Sequence, residues 1–157
     1  MSEVVYVSKV KIELEFGPAR LAHLPAEPQP VRFGVHGAIA EHYKVPPEVA
    51  DPHATTLDYI VAAAGGCLAG TFGGALEARH IHASNRHLTA DVTGEVELED
   101  GVLVIRRIHV AYTLIAPASA REVVERVHRV HAEHCPVYRS LHKAIEITTE
   151  YRLREPS

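Results

Sequence analysis

The sequence is poor in the residues that mark specialised chemistry. Its 157 residues include two cysteines, one methionine and no tryptophan, and aromatic side chains make up 6%. The two cysteines, Cys67 and Cys135, lie far apart in the chain, which excludes a CxxC redox pair and any four-thiolate zinc site. Neither sign of charge dominates. A net charge of −4 leaves no electrostatic footprint for nucleic acid or for an anionic membrane surface, so neither is expected as a partner. The opening residues, Met1-Ser2-Glu3-Val4-Val5-Tyr6, lack a basic segment followed by an apolar one, so no secretory signal is expected. The cytoplasm is then the expected compartment, where a stable structural disulfide is disfavoured. There are no internal repeats, low-complexity tracts or linkers, and the length fits one domain spanning residues 1–157.

What is present is ordinary in bulk. Hydrophobic residues at 46% and charged residues at 23% are those of a globular protein able to bury a core. One segment stands out. From Tyr59 to Leu76 there is no charged side chain, and the run reaches the lower limit for crossing a bilayer. It is rich in Ala and carries Gly65, Gly66, Gly70, Gly73 and Gly74, too weakly apolar for a lone span. A helix enclosed by protein on nearly all sides is the expected structure. Thr55 is placed to cap it, with Asp58 completing a capping box, and it should run to about Ala78.

Around that helix the pattern is mostly of period two. Val10, Ile12, Leu14 and Phe16 alternate with charged residues and predict a half-buried strand, ended by Gly17-Pro18. Pro25, Pro28 and Pro30 keep the next stretch irregular, and Val31 to Val35 forms a second short strand. Ala38 to Ala54 reads as loop, broken by Pro46, Pro47 and Pro52. After the helix, Leu88 to Leu98 and Val102 to Ile115 form a hairpin about Glu99-Asp100-Gly101. A second helix opens at Pro117-Ala118-Ser119 and ends near Cys135-Pro136, a turn follows from Val137 to Leu141, and Ile145 to Leu153 is the last strand. The order predicts an α+β fold with a largely antiparallel sheet. Gly66, Gly70 and Gly74 fall at i, i+4 and i+8, a face that admits a second backbone closely, and a homodimer burying the helix between subunits is a natural solution.

The residue types alone leave three readings of the cysteines open: two inert core thiols, a structural disulfide, or a peroxidatic and resolving pair brought together by the fold. The twelve histidines invite a metal reading. His128, His131 and His134 recur every third residue, yet on a helix the first and third lie about 240° apart, so they do not converge on one ion. His80 and His82, beside Ala83-Ser84-Asn85, read as an exposed turn. No metal and no resident cofactor are expected. A protonated His134 beside Cys135 would favour that thiolate, although a solvent-exposed ring is the plainer reading. The hydroxyls of Tyr59 and Tyr138 are candidates to line a pocket.

Two segments resemble a known family. The run Leu57-Asp58-Tyr59-Ile60-Val61-Ala62-Ala63-Ala64-Gly65-Gly66-Cys67-Leu68-Ala69 is similar to the central-helix signature of the OsmC/Ohr superfamily, the osmotically inducible protein C and organic hydroperoxide resistance proteins. His134-Cys135-Pro136-Val137-Tyr138-Arg139-Ser140-Leu141 resembles its tail, and the likeness extends over about Thr55 to Leu153. The resemblance implies an OsmC-like α+β fold of antiparallel sheets around a buried central helix, in an intertwined homodimer with active sites at the subunit interface. It implies reduction of organic hydroperoxides, with Cys67 attacking the peroxide, Cys135 resolving the sulfenic acid as a disulfide, and an external dithiol restoring both. Such a chemistry wants a positive charge beside the attacking thiolate. In the family an arginine from the N-terminal region supplies it, held by a helix glutamate. Arg20 lies roughly where that arginine falls, with Arg32 the alternative. At the glutamate position stands Leu57. Asp58 is the nearest carboxylate, turned about 100° around the helix by the one-residue shift.

Overall fold

The computed structural model describes residues 2–49 and 51–157, so Met1 and Ala50 (the latter inside the stretch expected to be loop) lie outside the described residues. The chain falls into two compact units, Met1–Tyr59 and Ile60–Ser157.

In the first unit β1 (Lys11–Leu14), β2 (Arg20–His23) and β3 (Val31–Phe33) form an antiparallel sheet in that order. The β2 strand falls where irregular chain was expected. Gly17, with φ of 59°, turns the chain between β1 and β2, and Leu14 pairs with Arg20 across it. A short helix α1 (Gly37–His42) replaces the start of the expected loop. The β1 strand is shorter than its pattern suggests and is not half-buried: Ile12 is 47% and Leu14 80% exposed. Val4, Val5, Val7 and Phe16 are likewise bare.

Helix α2 (Thr56–Glu77) begins as its sequence predicts. The Asp58 N–H donates to Thr55 Oγ1 at 3.1 Å while the Thr55 N–H donates to Asp58 Oδ2 at 2.7 Å, a reciprocal capping box. It ends in a Schellman motif, with the Ile81 N–H on the Leu76 carbonyl and the His80 N–H on the Glu77 carbonyl. His80 takes the left-handed position, φ 60°, where glycine is usual, and with exposed His82 it sits in the expected turn.

The second unit is built on a sheet in the order β4 (Leu88–Glu99), β5 (Val102–Ile115), β6 (Glu146–Arg154). The β4–β5 hairpin matches the expected one, with a bulge at Glu95/Val96. The bulge explains why the buried positions of β5 change phase, from Ile105 to Ile108, Val110, Tyr112 and Leu114. β6 departs from the antiparallel expectation and pairs with β5 in parallel. A parallel partner needs a crossover, and α3 (Arg121–His131) and α4 (Pro136–Leu141) supply it. α4 stands where a plain turn was expected.

Ala64, Leu68, Phe72 and Leu76 recur every four residues along α2 and are fully buried. Contact with the sheet is close because two glycines interlock: a Cβ on Gly65 would meet Val92 Cγ2 at 2.3 Å, and one on Gly94 would meet Val61 Cγ2 at 2.4 Å. Each of the large apolar side chains in this stripe contributes about 1.5–3 kcal/mol by leaving water. The helix has the length and hydropathy of a bilayer span, but this stripe is spent on the core of the unit. Its opposite face is open: a Cβ on Gly66, Gly70 or Gly74 would meet nothing within 4 Å. Within a single chain α2 is therefore covered on one side rather than on all.

Candidate active site

The fold brings Cys67 and Cys135 together. Cys67 stands midway along α2, half-buried, and Cys135 is fully buried where the helical segment of α3 gives way to α4. No disulfide joins them, and the two thiols lie close enough to interact.

Cys135 is held by its own backbone. After α3 a single 3-10 turn, Ala132–His134, leads directly to it, and the Cys135 N–H donates to the Ala132 carbonyl. Cys135 is then the N-cap of α4, with Pro136 at the first helical position, and its Sγ accepts the Tyr138 N–H at 3.4 Å. Proline suits that position because its missing N–H would have had no helical partner. Burial pushes the Cys135 thiol above its ordinary value, and proximity to Cys67 adds to the rise. The peptide N–H groups of Tyr138 and Val137 pull the other way without reversing it.

Around Cys135 lies a buried polar cluster. The His131 ring is 2% exposed. Its Nδ1 lies 2.6 Å from the His128 carbonyl, which can only accept, so Nδ1 carries the proton. Nε2 is then an acceptor, and it takes the Tyr112 hydroxyl at 2.9 Å. His128 reaches Thr149 Oγ1 at 3.0 Å, and Phe72 packs against Tyr112 and His131 with ring centroids 4.7 and 4.9 Å away. Burial lowers the pKa of both histidines; the charge of His131 adds to this at His128, whereas the His128 carbonyl opposes it at His131. Burial, and then the nearby Cys135, push Tyr112 upward. Both ring nitrogens of His131 are thus used within the protein, which removes it from the three-histidine metal pattern. His134 is exposed.

Tyr112 and Thr149 escaped the sequence reading. The inward alternation Val110, Tyr112, Leu114 was the signal for the first, and His131 extends the helical stripe Val124, Val127.

The charged candidates belong to the first unit. Arg20 opens β2, half-buried, and its Nε is buried without a hydrogen-bond partner. Among the described residues no carboxylate pairs with it. Arg32 is committed, with Nη1 2.6 Å from Glu15 Oε2 and 3.6 Å from Asp51 Oδ2. Asp58 is not brought to Arg20. Its Oδ2 takes the Thr55 N–H and hydroxyl and lies 2.8 Å from His36 Nε2. Burial pushes this carboxyl up, but the Thr55 and His36 contacts outweigh it and leave the pKa below the ordinary value. The first turn of α2 needs a cap, and Asp58 provides it together with Thr55, as its sequence position suggests. Tyr59 spends its hydroxyl on the Arg32 carbonyl at 3.3 Å, and its ring packs on Phe33. Tyr138 stacks on His142, ring centroids 5.0 Å apart.

A thiol pair on a central helix and a crossover turn, in an α+β frame, defines the class. The family model of OsmC-like proteins matches residues 50–150, and the chain belongs to that family. No curated protein matches the sequence. Solved structures share the fold. An OsmC-like protein of Mycoplasma pneumoniae is similar with a TM-score of 0.72 at 17% identity, over 96% of this chain and 99% of that one. An OsmC-like protein of Vibrio cholerae gives 0.73 at 13% identity, over 97% and 100%. The organic hydroperoxide resistance protein OhrB of Bacillus subtilis gives 0.62 at 14% identity, over 95% and 100%.

Proposed function

We propose that this chain is a thiol-dependent peroxidase that reduces organic hydroperoxides. The observation that carries the reading is that the fold sets the buried Cys135 close to Cys67, with burial holding the Cys135 pKa above its ordinary value. The Cys67 thiolate attacks the distal oxygen of ROOH. The O–O bond breaks, the alkoxide takes a proton to leave as alcohol, and Cys67 becomes a sulfenic acid. The Cys135 sulfur then displaces hydroxide from the Cys67 sulfur, the thiol proton leaves with it as water, and a disulfide remains. An external dithiol reduces that disulfide by exchange. Order matters here: a buried, protonated Cys135 does not compete for peroxide, because the thiolate is the nucleophile.

Arg20 is the cation we assign to the Cys67 thiolate. Its support is the family resemblance, and among the described residues no carboxylate pairs with Arg20, whereas Arg32 holds two. Asp58 serves the helix cap. A second copy of the chain is the partner we assign to the open Gly66-Gly70-Gly74 face, as expected for a homodimer. Because α2 and the crossover carry apolar side chains, alkyl hydroperoxides are the substrate class rather than hydrogen peroxide.

Steady-state reduction of cumene hydroperoxide with a dithiol tests the reading. Wild type should turn over, Cys67→Ser should lose all activity, and Arg20→Ala should lose about tenfold or more in kcat/KM through a weakened thiolate. Retained activity in Cys67→Ser would overturn the assignment. Stoichiometric oxidation without turnover with any dithiol would make the chain a redox sensor instead. No oxidation at all would leave the fold as a binder of small apolar ligands.

A further inference from the structure

We propose that Tyr112 and His131 form a positioning pair for the resolving cysteine: their hydrogen bond pins the end of α3 to β5 and so holds Cys135 where it meets Cys67. The inference rests on the peroxidase reading for its role in turnover, but its geometry stands without it.

The connection is short and stiff. His131 is the last residue of α3, and the 3-10 turn Ala132–His134 runs from it into Cys135 with no flexible segment between. Tyr112 lies on β5, the central strand of its sheet, paired with Ala90 of β4 and Tyr151 of β6. The bond between them at 2.9 Å, fully buried, is a side-chain tie from the crossover to the sheet near the cysteine. It has a defined polarity, because the His128 carbonyl fixes the proton on Nδ1 and leaves Nε2 as the acceptor. Protonating Nε2 would reverse that polarity, because the Tyr112 hydroxyl oxygen can also accept. The titratable groups around it are Tyr112 from β5, His128 one turn back on α3 and Cys135 beyond its end. Thr149 and Tyr151 of β6 approach through His128, and α2 presents Phe72, an apolar ring.

The step it serves is disulfide formation: the S–O bond of the Cys67 sulfenic acid breaks, the Cys67–Cys135 S–S bond forms, and hydroxide leaves with the Cys135 proton as water. Attack of Cys67 on the hydroperoxide does not involve Cys135, so the pair should affect the second step alone.

The test is single-turnover oxidation of wild type and Tyr112→Phe by cumene hydroperoxide, with sulfenic acid and disulfide followed separately. The expected result is an unchanged rate of sulfenic acid formation and disulfide formation slowed about tenfold, the equivalent of one buried hydrogen bond. Diamide oxidation of the same two proteins separates this from the peroxidase reading, because it closes a thiol pair without peroxide. If cumene hydroperoxide oxidises neither protein yet diamide closes the disulfide more slowly in Tyr112→Phe, the positioning role stands and the peroxidase reading fails. Equal disulfide rates in both proteins would overturn the proposal, whatever the change in thermal stability. Should Tyr112→Phe not fold, His131→Phe removes the same bond, and disulfide formation as fast as in wild type would overturn the proposal equally.

Discussion

The two units of this chain make opposite use of their apolar residues. In Ile60–Ser157 a block of large ones is buried together: Leu68, Phe72 and Leu76 of α2 with Ile108, Val110 and Leu114 of β5. In Met1–Tyr59 the fully buried apolar side chains are small, Ala19, Ala22 and Val35, while Val5, Leu14 and Phe16 are bare. The first unit described thus carries its apolar surface outward, and the second carries its own core. Chemistry divides the same way. Both cysteines sit in the self-sufficient unit, where their separation is set by a rigid helix and sheet, and the candidate cation sits in the other.

Substitutions should widen that contrast. Phe72→Ala removes the ring that packs on Tyr112 and His131 and should cost about 3–5 kcal/mol in denaturant unfolding. Gly65→Ala sets a methyl against Val92 and should cost about 1–3 kcal/mol. Gly66→Ala, one residue on, meets open space within the chain. It should leave unfolding unharmed and shift the subunit equilibrium measured by sedimentation velocity instead. A loss of stability equal to that of Gly65→Ala would erase the distinction between the two faces of α2.

Acid supplies a third probe. His128 and His131 are held neutral, with pKa values below the ordinary 6.5 that they regain on unfolding. Below that value the unfolded chain binds more protons than the folded one. Their contribution is therefore complete above about pH 6.5 and declines as pH falls toward the folded values. Thermal unfolding should show a midpoint flat from pH 8 to 7 that drops below pH 6, and less steeply so in His131→Asn. The smallest effect belongs to the first unit. Leu14→Ser, at a side chain 80% exposed, should change unfolding by about 0.5 kcal/mol or less.

How far the sequence could be read follows from the same contrast. The α2 helix and the β4–β5 hairpin were legible because their periodicity is long and their ends carry recognisable signals, Thr55 with Asp58 at one and Asp100-Gly101 at the other. β2 was missed because Arg20–His23 is too short to show a period between Gly17-Pro18 and Pro25. The direction of β6 is a matter of partner choice, which alternation within one strand does not encode. The two cysteines were recognisable as a pair by likeness to a family, while their contact is a product of the α3 crossover. Tyr112 was hidden by its neighbours: a tyrosine among Val110 and Leu114 looks like packing until a histidine is found behind it. Asp58 was the reverse case, a carboxylate near the cysteine in sequence whose oxygen the helix had already claimed.

The most direct test of the account is intact mass with thiol counting after one equivalent of cumene hydroperoxide, on wild type and Cys135→Ser. Wild type should lose two hydrogens and both thiols, and Cys135→Ser should gain one oxygen as a trappable sulfenic acid on Cys67. Unchanged mass and thiols in both proteins would contradict the account and leave Cys67 and Cys135 as neighbours without a reaction.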